Sequence, residues 1–275
     1  MTADSLIKLI SSQGDFLLTL ACALGESLVC IFILRQGLWR KFPMFSIFLG
    51  WAFVVDVAAL YFQHRLSDHD YFQFYLRQMI VDSALQFAVL VELSWAVLRP
   101  VRTSLPRATI VVLTVLIGLA GLVIWPLAIK TAVPQGYVKW SAVVFHLQQT
   151  IGILRILCFL IMAAFSQVLS IGWRDRELQI ATGLGFFSIV SLMVTLTHSQ
   201  QSGSDIDAFH WLDQLVSAGY LGTLSYWVLS FATQEQKRKE FSPQMQHLLL
   251  QLGGGVRAGR IALSDLPPEP SRNKD

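Results

Sequence analysis

Seven predominantly apolar stretches run along the chain, at about 16–34, 44–62, 74–98, 108–129, 141–170, 178–198 and 210–232. Each is close to the ~20 helical residues that cross a bilayer's hydrocarbon core. A lone strand would leave its edges without hydrogen bonds in lipid, and a barrel would need alternating segments of about ten residues, which are absent. The pattern therefore predicts an all-α integral membrane bundle of seven transmembrane helices. The fourth stretch carries no charge; its Gly118, Gly121 and Pro126 are tolerable where neighbouring helices satisfy a freed backbone group. The third and fifth are long enough to tilt or to project beyond the lipid.

Charged residues lie mostly between the stretches. Of 275 residues, 54% are hydrophobic and only 14% charged, against about 25% charged in soluble domains. Fifteen Lys and Arg fall on the side of the odd-numbered loops and the C-terminal tail, and five on the other side. The positive-inside rule then puts the N-terminus outside and the C-terminus in the cytoplasm, across the cytoplasmic membrane of the cell. Trp39, Trp140 and Trp173 sit where spans meet loops. The expected organisation is an extracytoplasmic segment at 1–15, the bundle at 16–232 and a cytoplasmic tail at 233–275. Residues 1–15 have no basic region followed by an apolar run of their own, so the first span reads as an uncleaved signal anchor. In the tail, 244–252 has the pattern of a short amphipathic helix beside Lys237, Arg238 and Lys239; a triple glycine and a Pro-rich end follow. The tail has no room for an output domain, so a basic tail that contacts a cytoplasmic protein partner is expected. The small net charge of +3 and its placement give no support for nucleic-acid binding. Oligomeric state is not legible.

Ionisable residues inside the spans change the picture most. Each costs roughly 2.5–3.5 kcal/mol at a helix centre and marks a site by default. Glu26, Asp56, Asp82 and Arg155 are the clearest cases. Gln78, Asp82 and Gln86 recur every four residues and form one polar stripe. Glu92 lies on an adjacent face of that helix. Arg155 stacks below Gln148, with His146 and Gln149 as an outer pair. An Arg stays charged and needs an acceptor, for which Asp82 and Glu26 lie at matching depth. The expected polar pocket comprises Glu26, Asp56, Asp82, Gln86, His146, Gln149, Arg155 and Asp213. A buried network that only fixes helix packing is the competing reading.

Other chemistry is thinly represented. His64, His69, His146, His198 and His210 share the outer side with several Asp, but no HExxH or HxxxH spacing occurs, so no metal site is assigned. No Walker A, GxSxG or Rossmann glycine pattern is present. The last span has no Lys for a retinal Schiff base. No catalytic residue and no cofactor follow. Cys22, Cys30 and Cys158 read as small buried hydrophobes. Gly183 and Gly185 read as a small-residue packing site.

GLWRKF (37–42) and GWRDRE (172–177) each open an inner loop, a weak echo suited to a parallel 3+1+3 repeat of the kind in sugar-transporting SWEET proteins. RQGLWRKFP (35–43), Glu92, Arg155 and ATGLGFF (181–187) together resemble a loose group of uncharacterised seven-helix bacterial membrane proteins, notably acidobacterial. That resemblance covers most of 15–232 and implies the architecture, with no assigned activity. Three functional expectations stand in order: a receptor-like or sensory protein, a small-solute or proton-coupled transporter, and an intramembrane hydrolase using Asp82 and the outer histidines.

Overall fold

The computed structural model of the protein describes residues 3–62, 67–97, 109–128, 139–164, 175–200 and 206–233. They form α1 (Ala3–Arg35), α2 (Leu38–Lys41), α3 (Pro43–Phe62), α4 (Asp68–Val97), α5 (Thr109–Ile124), a 3-10 turn (Trp125–Leu127), α6 (Lys139–Ala164), α7 (Arg176–Gln200) and α8 (Ile206–Ala232). No strand occurs among the described residues. The loops at 98–108 and 165–174, the tail at 234–275, and the side chains of His69, His198, His210 and Asp213 lie outside the described residues, as does His64.

Among the described residues, six helices are long and apolar enough to cross a membrane: α1, α3, α4, α6, α7 and α8. Their outer faces are lined with apolar side chains, such as Leu34 (66% exposed), Met193 (63%) and Leu229 (70%). Water would penalise such a surface at about 25 cal/mol per Å²; hydrocarbon does not. The chain is a multi-pass helical membrane protein. The fourth apolar stretch differs from expectation. It forms only the 16 helical residues of α5 before Pro126, which has no N–H to continue the ladder, turns it into the 3-10 segment.

The six long helices close into a ring in the order α1, α3, α4, α6, α7, α8, while α5 packs outside it against α4 and α6. Local sequence explains the element ends. Gly37 takes a left-handed φ of 66°, the conformation that ends α1 and that a Cβ would disfavour. Pro43 opens α3, where its missing N–H costs nothing. Ser67 accepts a hydrogen bond from the Asp70 N–H (3.3 Å) and donates to Asp70 Oδ2 (2.7 Å), so α4 starts earlier than its apolar stretch. The segment at 3–15 is helical and continuous with the first span.

One end of the ring is stitched by two charged groups. Arg176, in the first turn of α7, is 2% exposed. It donates to Gln179 Oε1 (2.8 Å), the Ser230 carbonyl (2.7 Å), Gln36 Oε1 (3.0 Å) and the Thr233 carbonyl (2.7 Å). Gln36 in turn donates to the Phe231 carbonyl. The last turn of α8 leaves carbonyls without helical partners, and a guanidinium fork satisfies them while countering the negative helix end. Glu92 does the converse for α3, accepting from the Met44 and Phe45 N–H groups, both at 2.9 Å. Above this end, the Trp227 ring packs edge-on against Phe45 at 5.1 Å and donates to the Gln179 carbonyl at 3.2 Å. Gly183 provides the room: a Cβ there would collide with the Trp227 ring. Gly185 does the same for Phe159 and Gly219 for Val190.

Removing Arg176 leaves acceptors from α1, α7 and α8 unpaired. Arg176→Met is therefore expected to cost on the order of 3–5 kcal/mol. Arg176→Lys should recover only part of it, because an ammonium cannot reproduce the fork. Thermal unfolding in detergent checks both; an unchanged midpoint for Arg176→Met would remove the latch from the account of stability.

Candidate functional site

Four polar side chains expected in a common pocket do meet. A cavity of about 140 Å³ lies inside the ring, lined by Glu26 from α1, by Trp51 and Asp56 from α3, by Gln78, Asp82 and Gln86 from α4, and by Phe187 and Tyr220 from α7 and α8. Phe48, Ala52 and Val55 complete it. Glu26 is nine residues before the end of α1 and Asp82 fifteen before the end of α4. At ~1.5 Å per residue these positions are about 14–22 Å from the stitched end, near mid-span. The four-residue spacing of Gln78, Asp82 and Gln86 places all three on the cavity wall, as the helical period requires.

The hydrogen bonding in the cavity is incomplete. Tyr220 donates its hydroxyl to Glu26 Oε1 at 2.6 Å, and Gln86 Nε2 donates to Asp82 Oδ2 at 2.6 Å. Glu26 Oε2, Gln86 Oε1 and Trp51 Nε1 are buried and have no hydrogen-bond partner. Glu26 is wholly buried and Gln86 4% exposed. A buried donor or acceptor left unmade costs about 1–3 kcal/mol, so three such atoms around one space are not a by-product of good packing.

Arg155 departs from expectation. It is 4% exposed, and its Nε and Nη1 have no hydrogen-bond partner among the described residues. Its guanidinium carbon lies 5.5 Å from the centroid of Phe187, a ring that also faces the cavity. It therefore stands behind the aromatic wall, and its attraction to Asp82 acts through space. Depth matched these groups in the sequence, but rotation about the helix axes sends Glu26 to Tyr220 and Asp82 to Gln86.

His146 and Gln149 do not line the cavity. The His146 ring nitrogen Nε2 is 2.8 Å from the Trp125 carbonyl and its ring packs edge-on to Trp125, clamping the end of α5 to α6. Gln149 Oε1 is buried without a partner elsewhere on α6. The Asp213 side chain lies outside the described residues. Among the described residues no three His, Cys, Asp or Glu side chains come together to hold a metal ion. A second cavity, of about 690 Å³, lies between α4, α5 and α6 and is lined mainly by apolar groups such as Ile80, Phe87, Leu122 and Leu154, with Ser83 and Thr150 among them and no charged side chain among its described lining residues.

Sequence reasoning missed Tyr220, Trp51 and Phe187. A mid-span Tyr was the available signal, because its hydroxyl needs a partner in hydrocarbon. Comparison with protein-family models, curated proteins and solved structures finds no match for this chain. The site must be read from its own chemistry.

Tyr220→Phe deletes the one donor to Glu26 and leaves both carboxyl oxygens unpartnered. It is expected to cost about 1–3 kcal/mol of stability. Combining it with Glu26→Gln should give a non-additive double-mutant cycle; strict additivity would show that the two groups do not interact in the membrane.

Proposed function

We propose that the protein is a receptor-like or sensory protein of a bacterial cytoplasmic membrane, with a pocket for a small polar ligand inside the bundle. The observation that carries this reading is the set of unpartnered polar atoms around the cavity. A network that served packing alone would satisfy its own members. At the stitched end, Arg176 and Glu92 complete helix ends across three and two elements respectively, whereas three of the buried unpartnered polar atoms gather around this one space. The stitched end and the aromatic layer of Phe45, Trp227 and Phe231 lie below the cavity. A solute in the cavity has a packed floor, which suits binding and signalling more than passage.

In this reading α5 is the seventh span. Its 16 residues cover ~24 Å and the 3-10 turn adds ~6 Å, together about the thickness of the hydrocarbon core. The N-terminus is then outside, and the basic tail meets a cytoplasmic partner. A topology reporter fused after residue 240 is expected to be active only in the cytoplasm; activity only outside would invert the arrangement.

The ring order supports a second reading. Three consecutive helices, an outlying α5 and three more are what a parallel 3+1+3 transporter repeat would give. One experiment separates these readings from a packing defect. Small polar solutes should raise the thermal midpoint of the wild-type protein, by about 2.7 kcal/mol of stabilisation at a hundredfold excess over Kd. Ala52→Leu, which fills the cavity, should abolish that gain while the protein stays folded. Stabilisation by no solute, with a more stable Ala52→Leu, would make the cavity a defect. Accumulation of the stabilising solute in proteoliposomes would favour the transporter.

A further inference from the structure

We propose that the mid-span cavity takes a small organic cation with N–H donors, of primary-ammonium type and no more than about six heavy atoms. This rests on the pocket reading above and specifies its ligand. The three acids alone would not establish it. Gln86 is a separate indication: it lines the cavity, is 4% exposed, uses Nε2 on Asp82 and leaves Oε1 unpartnered. Glu26 gives Oε1 to Tyr220 and leaves Oε2 unpartnered. The missing partner of Gln86 Oε1 is a donor, and so is that of Glu26 Oε2 with Glu26 as a carboxylate, the form that a cation selects.

Charge selects the kind of donor. Carboxyl groups from α1, α3 and α4 border the space, and among the described residues no Lys, Arg or His does. Arg155, behind Phe187, offsets Asp82 through space. Glu26 and Asp56 are left to meet a positive ligand, for which a charge-assisted N–H bond is about twice as strong as a neutral one. Trp51, Phe187 and Tyr220 add aromatic side chains of the kind that attract alkylammonium groups.

Size and spread exclude the other cations. The described carboxylates surround the space without converging as metal ligands do. The volume of about 140 Å³ approaches the ~150 Å³ that holds benzene in an engineered protein cavity, which sets the limit of about six heavy atoms. A quaternary ammonium would suit the rings but would bring no N–H to Glu26 Oε2 or Gln86 Oε1.

The test is equilibrium binding of radiolabelled methylammonium to the full-length protein in nanodiscs at constant ionic strength. Saturable binding is expected, displaced by ethylammonium and not by ethanol, acetate or sodium. Tetramethylammonium should compete about tenfold more weakly, for want of the N–H bonds. Glu26→Gln should weaken methylammonium by about tenfold or more. If that variant does not fold, Asp56→Asn should show the same direction of loss. Equal displacement by ethanol, acetate or sodium overturns the ligand class and leaves the pocket standing. So does an absence of methylammonium binding while other polar solutes still raise the thermal midpoint. Absence of both effects removes the pocket as well.

Discussion

Hydrocarbon offers no hydrogen bonds, so every polar group carried into the bundle must find its partner inside the protein or be left without one. The effect is most visible at Arg176. Its fork holds carbonyls and amides at the ends of α1, α7 and α8, the first and the last two of the described helices. The ring could not close on side-chain packing alone. Lipid is as apolar as the helix faces, so burying Leu against Leu gains little over burying it against acyl chains. Directional bonds at the helix ends and close approach through Gly183, Gly185 and Gly219 supply what the hydrophobic effect supplies in water.

The same constraint distinguishes the two halves of the bundle. At the stitched end, acid and base each complete a helix terminus, and the opposite charges sit on the helix ends that favour them. At mid-span the polar groups form two local pairs, Tyr220 with Glu26 and Gln86 with Asp82, and then stop. What remains around the space is two unpartnered oxygens, Glu26 Oε2 and Gln86 Oε1, and the Trp51 N–H. Stability gives no reason to leave it open, since replacing such groups with well-packed apolar ones is commonly neutral or favourable.

Much of this was legible in the sequence, and what was not has a physical cause. Span length and apolarity gave the helical membrane bundle. The four-residue period of Gln78, Asp82 and Gln86 gave one wall of the cavity, because face is a local property of a helix. The partner of Arg155 was not legible. Depth along the membrane can be counted from the sequence, but rotation of one helix against another is set by packing, and packing turned Arg155 towards Phe187. His146 illustrates the same point: an outer polar residue on α6, it is turned to the carbonyl at Trp125 where Pro126 follows. Arg176 read as one more basic residue in an inner loop. Nothing local distinguishes a topology charge from a buried latch, since its four acceptors come from residues 36, 179, 230 and 233.

The placement of Arg155 also bears on how the cavity would work. A guanidinium in direct contact with Asp82 would neutralise it and close the site as a salt bridge. Behind Phe187, at 5.5 Å from the ring centroid, it acts on the cavity only through space and through the aromatic wall. Low local dielectric makes that action strong. The bundle thus carries a positive charge against one aromatic ring of the cavity wall and carboxyl groups on the wall itself. A cation entering the cavity would change the charge that both Asp82 and Arg155 experience. Arg155 is on α6, which contributes nothing to the cavity wall but packs against α4, α5 and α7. Occupancy would therefore be felt electrostatically by a helix that the ligand never touches, and that helix packs along α7, whose first turn carries Arg176.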